Sequence, residues 1–225
     1  MITHIHGALL QRSIDCKPEI PMTHDEATER SHTLRSTERR QHLLDTARTL
    51  FVDKGFHQTG MAQIAKASGI ATGQIYRDFA NKEAIIAAIC KSDLITWLEE
   101  EKLNAAVAAG DRGAIRDWIE RIATEESAPE DRRLMCELLA EVGRNPIIAE
   151  IIRKIEAQLR KSLEAALTSL APDASAQRRA TLMDFIISIS WGMVASLELF
   201  PYRETGALRQ HIAALLQREI AALGA

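Results

Sequence analysis

The chain has 225 residues, 46% apolar and 26% charged, which is ordinary for one large globular domain or two small ones. Twenty-eight Lys and Arg against 31 Asp and Glu leave a net charge of -3, without the basic excess that usually marks a nucleic-acid binder. Aromatics at 4%, with eleven glycines and six prolines, are poor material for a sheet-rich fold. The three cysteines, Cys16, Cys90 and Cys136, are odd in number and far apart, so they predict neither a disulfide framework nor a zinc knuckle but a reducing compartment. The longest uncharged apolar run, Phe185 to Leu197, is 13 residues, short of the roughly 20 that a spanning helix needs, and reads as a buried helix. No basic segment followed by an apolar run heads the chain, so no secretory leader is expected, and the expectation is a cytoplasmic protein.

Residues 1–33 show neither helical nor strand periodicity and are expected to be a disordered tail. His4 and His6 in it are better explained as solvated residues than as metal ligands, and Met22 is a candidate native start. From Ser36 onward the apolar period is helical: Leu43, Leu44, Ala47, Leu50 and Phe51 share one face, and Gly55 ends the run. Thr59 is expected to cap a short helix carrying Met61, Ile64 and Ala65, which Gly69 breaks. Ile70 and Ile75 bracket a third short segment ending near Phe79, and Asn81 caps a longer helix. Gly110 and Gly113 flank the next start, Ala128-Pro129 opens another helix that Gly143 closes, and Asn145-Pro146 is an N-cap followed by proline at the first helical position. Pro172 to Ser175 is a turn; Pro201 stops the apolar helix before it, and a last helix carries Leu208, Ile212, Leu215 and Leu216. The reading is all-α, with about nine helices.

The segment from Met61 to Tyr76 has helix-turn-helix spacing: two short helices meet across a tight turn that needs the small Gly69, with Ala65 small at the crossing. Ile64, Ile70 and Ile75 form the little core that fixes the angle. Around it stand Leu43-Leu44, Leu50-Phe51, Gly55-Phe56, Thr59, Ser68-Gly69-Ile70, Gly73, Tyr76, Phe79 and Asn81-Lys82-Glu83. With these flanks, residues 40–86 resemble the DNA-binding domain of the TetR family of bacterial regulators. The resemblance implies a helix-turn-helix domain over 36–96, its motif at about 60–79, and a helical effector-binding and dimerisation domain over 97–225. The segment Glu137 to Pro146 resembles the C-terminal domains of BetI-like members.

In such a motif the second helix lies in the major groove with its N-terminal side chains on base edges. Thr72 and Gln74 stand there, suited to a thymine methyl and to the paired N6 and N7 of adenine, and Arg77 suits guanine or a phosphate. The resemblance implies phosphate contacts from Thr59, Tyr76 and Lys82. Gly73 inside a helix costs about 1 kcal/mol against alanine, tolerable where backbone must approach DNA closely. Where the family commonly places a serine cap this chain has Ala71, so the recognition helix either keeps Ala71 at the cap without a hydroxyl or shifts its start so that Thr72 caps it.

Beyond the motif, Trp97, Trp118, Met135, Phe185 and Trp191 are candidates for an apolar effector cavity, with Glu137 and Glu141 at the edge of their helix's apolar stripe. Ser188, Gly192, Ala195 and Ser196 make a small-residue stripe. With Ile189, Leu208, Ile212 and Leu215 they predict a homodimer interface, hence a palindromic operator. The function expected is a repressor released from double-stranded DNA by a small molecule, the alternatives being an activator or a ligand-independent DNA-binding module. No nucleophile elbow, zinc-protease motif, P-loop or dinucleotide fingerprint occurs, so no catalytic residue, metal or cofactor is expected. The net charge is also unevenly placed: residues 30–90 carry nine basic and five acidic side chains, whereas 91–225 carry seventeen and 21. A basic head on an acidic body orients the head toward DNA.

Overall fold

In the computed structural model, which describes residues 24–224 and their side chains from 34 onward, the chain forms ten helices and no strand among the described residues. Helix α1 spans His24–Lys54. It starts inside the expected tail, in residues 24–33, a stretch that neither proline nor glycine interrupts. The candidate start at Met22, His4 and His6 lie outside the described residues. The chain divides into two compact units, Met1–Arg39 and Arg40–Ala225. In the first, the Arg39 guanidinium donates to the Ser36 hydroxyl at 3.4 Å.

The second unit holds the remaining elements. Helices α2 (Met61–Ser68) and α3 (Thr72–Asp78) form the hairpin, joined through Gly69 at φ 68°, in the left-handed region that glycine adopts without strain. Helix α4 (Lys82–Leu98) starts on the Asn81 cap, whose side-chain oxygen accepts from the Ala84 N–H at 2.8 Å. Helix α5 covers Glu100–Ala109, α6 Arg112–Thr124 and α7 Pro129–Glu141. Helix α8, Pro146–Leu170, starts on Asn145, which accepts from the N–H groups of Ile147 and Ile148. Helices α9 (Ala176–Leu199) and α10 (Gly206–Leu223) close the chain.

The tenth helix comes from a break at Glu99 between α4 and α5. Glu99 sits at φ 49°, a left-handed conformation that costs a non-glycine residue on the order of 1 kcal/mol. Helix α6 holds the break in place: the Trp118 indole N–H donates to the Leu98 carbonyl at 2.7 Å and Arg121 reaches the same oxygen at 3.4 Å.

Apolar burial forms two clusters. One joins α4–α6 and α8–α10 through Ile115, Ile119, Leu163, Leu167, Ile186 and Leu216. The other gathers Leu43, Phe51, Phe56, Ile64, Ile75 and Ile85 around the hairpin, and Leu134, Leu138 and Ile148 from α7 and α8 complete it. The core under the hairpin is therefore finished by residues some 50 to 100 positions downstream. Helix α9 is 24 residues, longer than its uncharged run because Ala176–Asp184 precede it, and by length and composition it is long enough to cross a membrane. It packs on α6, α7, α8 and α10, burying Leu182, Met183, Ile186, Ile187, Met193 and Leu197.

Candidate nucleic-acid interface and ligand cavity

The hairpin is fixed from below by apolar contacts and at its ends by polar ones. Ile64 and Ile75 are fully buried, Ala65 is buried at the crossing, and Ile70 is half-buried against them. The His42 imidazole on α1 hydrogen-bonds the Ser68 carbonyl at 3.1 Å, satisfying a carbonyl at the C-terminus of α2. The Arg40 guanidinium lies 4.8 Å from the Phe79 ring centroid, a cation–π contact that holds the end of α3 on α1.

Helix α3 starts at Thr72, with Ala71 as its N-cap and no side-chain cap. Its first turn therefore keeps N–H groups without an internal partner. Thr72, Gly73, Tyr76 and Arg77 are exposed, Gln74 is half-buried, and Ile75 points inward. Tyr76 is 52% exposed, large for an aromatic side chain and far from a packing role. A Cβ added at Gly73 would meet nothing within 4 Å, so no contact inside the chain demands glycine there.

Two of the phosphate candidates stand differently. Thr59 is 1% exposed, and its hydroxyl hydrogen-bonds the carbonyls of Gly55 at 2.9 Å and Leu50 at 3.2 Å. That corrects two expectations. Thr59 does not cap α2, whose N-cap is Gly60, with the Gly60 N–H donating to the Gln63 side chain at 2.7 Å. Nor is its hydroxyl on the surface where a phosphate would sit, because the free carbonyls at the end of α1 claim it. Lys82 is half-buried; its ammonium donates to the carbonyls of Phe56 at 2.8 Å and His57 at 3.2 Å, and stands 4.5 Å from the Phe56 ring centroid. It ties the start of α4 to the turn between α1 and α2, and one of its three N–H bonds stays uncommitted.

A cavity of about 500 Å³ opens between α4, α6, α7, α8 and α9. Trp97, Met135 and Trp191 line it as expected. Trp118 does not: it is buried behind the wall, holding Leu98. Phe185 does not either, being 37% exposed on the outer face of α9. Glu137 points instead to the end of α1, where its carboxylate accepts from the Phe56 N–H at 3.3 Å, and Glu141 is buried at the far end of the same helix. Neither lines the cavity; the buried apolar residues of α7, Leu134 and Leu138, belong to the hairpin cluster.

Sequence reasoning missed Arg48. From α1 it forms ion pairs with Asp93 on α4 and, at 2.6 Å, with Asp131 on α7, both of which line the cavity. Burial pushes the Asp131 carboxyl above its ordinary range, against the pull of Arg48. An arginine in the middle of an amphipathic helix carries no signal of partners 45 and 83 positions away.

Of the stripe expected between protomers, Ser188 and Gly192 are exposed, and Ile189, Ala195 and Ser196 half-exposed. Phe185 and Leu199 extend this outward face, Leu199 being 71% exposed. On α10, Leu208 is exposed and Leu215 half-exposed. Ile212 is 7% exposed and belongs to the chain's own core, facing inward where its neighbours face out.

The family model for "Bacterial regulatory proteins, tetR family" matches residues 43–89, the span of this hairpin and its supports. The regulator UidR of Escherichia coli K12 is 24% identical over 186 residues, 79% of this chain and 90% of its own length. The regulator AcrR of Shigella flexneri is 29% identical over 164 residues, 67% of this chain and 75% of its own. Over most of its length the chain is similar to TetR-family transcriptional regulators. Its fold is shared with a transcriptional regulator of Pseudomonas aeruginosa PAO1, at a TM-score of 0.68 and 16% identity over 84% of this chain and 91% of that one. In regulators of that family the helix-turn-helix is the DNA-binding element.

Proposed function

We propose that this chain is a cytoplasmic TetR-family repressor that binds a palindromic operator as a homodimer and releases it when a small molecule enters the cavity. The observation that carries the DNA part is the first turn of α3, with Thr72, Gly73, Tyr76 and Arg77 exposed and its N–H groups uncapped. Thr72, Gln74 and Arg77 read base edges. Tyr76 and the free N–H of Lys82 take phosphate oxygens, helped by the start of α4, where peptide dipoles favour an anion. The head, 36–96, does this work, and residues 97–225 bind effector and partner.

Pairing through α9 and α10 is supported by the unpartnered face of Phe185, Ser188, Gly192, Ser196 and Leu199, continued by Leu208 and Leu215. Small residues there let two helices approach closely, and Phe185 and Leu199 supply apolar area. Release of DNA follows from Arg48: it joins α1 to two residues of the cavity wall, so an occupant that shifts α4 against α7 shifts the head. The ligand must bind the released state better than the DNA-bound one.

Genome-wide footprinting would identify the operator, and fluorescence anisotropy on that duplex tests the surface. Tyr76→Phe and Arg77→Ala should each weaken binding at least tenfold, since a hydrogen bond to a charged group contributes about 1.5–3 kcal/mol. Their circular dichroism and oligomer mass should not change. Wild-type affinity in both variants would overturn the assignment of this face to DNA.

A further inference from the structure

Arg40 on α1 is a charge that the chain itself does not match. It is exposed, and no hydrogen bond or ion pair joins it to any described residue. It is held instead by the Phe79 ring, with the guanidinium 4.8 Å from the centroid. Arginines elsewhere are placed differently: Arg121, Arg160, Arg179 and Arg209 each stand within ion-pair distance of a carboxylate. A fixed guanidinium whose N–H donors have no acceptor in the chain is free to take one from outside it.

Its place is fixed from two sides. Two residues along α1, His42 bonds the Ser68 carbonyl at 3.1 Å, so this stretch of α1 lies against the end of α2. Phe79 closes α3 and is 4% exposed, while Arg40 over its ring is exposed, so the guanidinium lies on the outer side. Phe79 follows the exposed Tyr76 by three residues, about 4.5 Å of helix rise, and side chains three apart share a helix face. The guanidinium therefore stands about one turn beyond Tyr76, at the opposite end of α3 from Thr72. Helix α3 has seven residues, about 10 Å of length, against a major groove about 12 Å wide. A helix that enters the groove by its first turn leaves a group beyond its last turn at the groove's edge, where the phosphates are.

We propose that Arg40 is a further DNA-binding residue, its guanidinium taking a phosphate oxygen at the edge of the groove that α3 enters, once in each protomer. This inference rests on the DNA-binding reading above. Stacking on Phe79 holds the side chain before DNA arrives, which reduces the ordering that binding demands. Arginine binds phosphate through charge-assisted hydrogen bonds, often two in parallel. A phosphate contact carries no base information, so Arg40 contributes affinity and register on the duplex rather than sequence specificity.

Fluorescence anisotropy on the full chain, with the operator duplex and with a scrambled one, tests this between about 50 and 200 mM salt. Arg40→Met keeps an apolar stem over the Phe79 ring and removes the charge. It should weaken binding to both duplexes by a similar factor, about tenfold at the lower salt. The slope of log affinity against log salt should become shallower by about 1.8, for two phosphates per dimer at about 0.9 each. Arg40→Lys, which keeps the charge, should keep the slope, and so should Arg116→Met, at an exposed arginine of α6. A residue that only braced α1 on α3 would weaken binding and leave the slope alone. If Arg40→Met fails to fold, the wild-type chain decides: bound operator should protect Arg40 from phenylglyoxal, read by fragmentation of the modified peptide. The proposal is overturned by an unchanged slope in Arg40→Met, by an equal loss of slope in Arg116→Met, by weakening confined to the operator, or by undiminished reaction of Arg40 in the complex. Weakened binding in Tyr76→Phe and Arg77→Ala, with the wild-type slope in Arg40→Met, sinks this contact and leaves the DNA face standing. Absence of any DNA binding by the wild-type chain sinks the reading on which it rests.

Discussion

Thr59 and Cys90 illustrate how burial redirects side-chain chemistry. A threonine two residues before a helix reads as a cap, yet its hydroxyl is more useful to the unpaired carbonyls where α1 ends. Thr59→Val should lower stability by about 1–2 kcal/mol in urea melts and leave the operator affinity of the folded protein within a few-fold of wild type. Burial, with the nearby charge of Asp93, pushes the Cys90 thiol from an ordinary 9.0 up to about 12. The thiol stays protonated in the folded protein at neutral pH, so iodoacetamide at pH 8 should spare Cys90 in the native state and modify it in urea, read by peptide mass. The sign of the pH effect follows. The unfolded chain loses this proton near pH 9 and the folded one near 12, so stability falls across that interval, and Cys90→Ala should flatten the decline.

At the scale of elements, the hairpin was legible before any coordinates. Gly69 at the turn, Ala65 at the crossing and the three isoleucines are local facts of spacing, and the helices formed where they placed them. The start of α3 at Thr72 was not legible. With no hydroxyl at Ala71, two starts fit the sequence equally, and the contacts of Ile75 and Phe79 with the core choose between them. Glycine at 73 then sits in the first turn with open space around it. Gly73→Ala should therefore leave the melting temperature unchanged or slightly raised, by no more than about 1 kcal/mol in stability. It should still weaken operator binding at least tenfold in anisotropy titrations, because the added methyl occupies the gap that the DNA backbone or a base edge would fill. The break at Glu99 is the converse case: nothing in the local sequence asks for it, since there is neither glycine nor proline, and it exists because Trp118 and Arg121 draw the Leu98 carbonyl out of the helix.

At the scale of the molecule, the proposed pairing through the outward face of α9 can be tested at Gly192. Gly192 is exposed and a Cβ there meets nothing within 4 Å. Gly192→Arg should fold normally but shift the mass in sedimentation from two protomers toward one, and operator affinity should fall with it, since each +4 head binds weakly alone. The sequence by itself determined the helical class, the hairpin, the caps at Asn81 and Asn145, and the basic head on an acidic body. All of these depend on periodicity, propensity and charge over a few neighbouring positions. Only the tertiary structure decided which aromatics wall the cavity, that Ile212 faces inward, and that Leu134, Leu138 and Ile148 finish the core beneath the hairpin. It alone joined Arg48 to Asp93 and Asp131 and laid the Arg40 guanidinium over the Phe79 ring. An apolar stripe fixes that a helix is buried but not against what. The partners of a long charged side chain are set by helices that meet after dozens of intervening residues, information carried by packing rather than by sequence spacing.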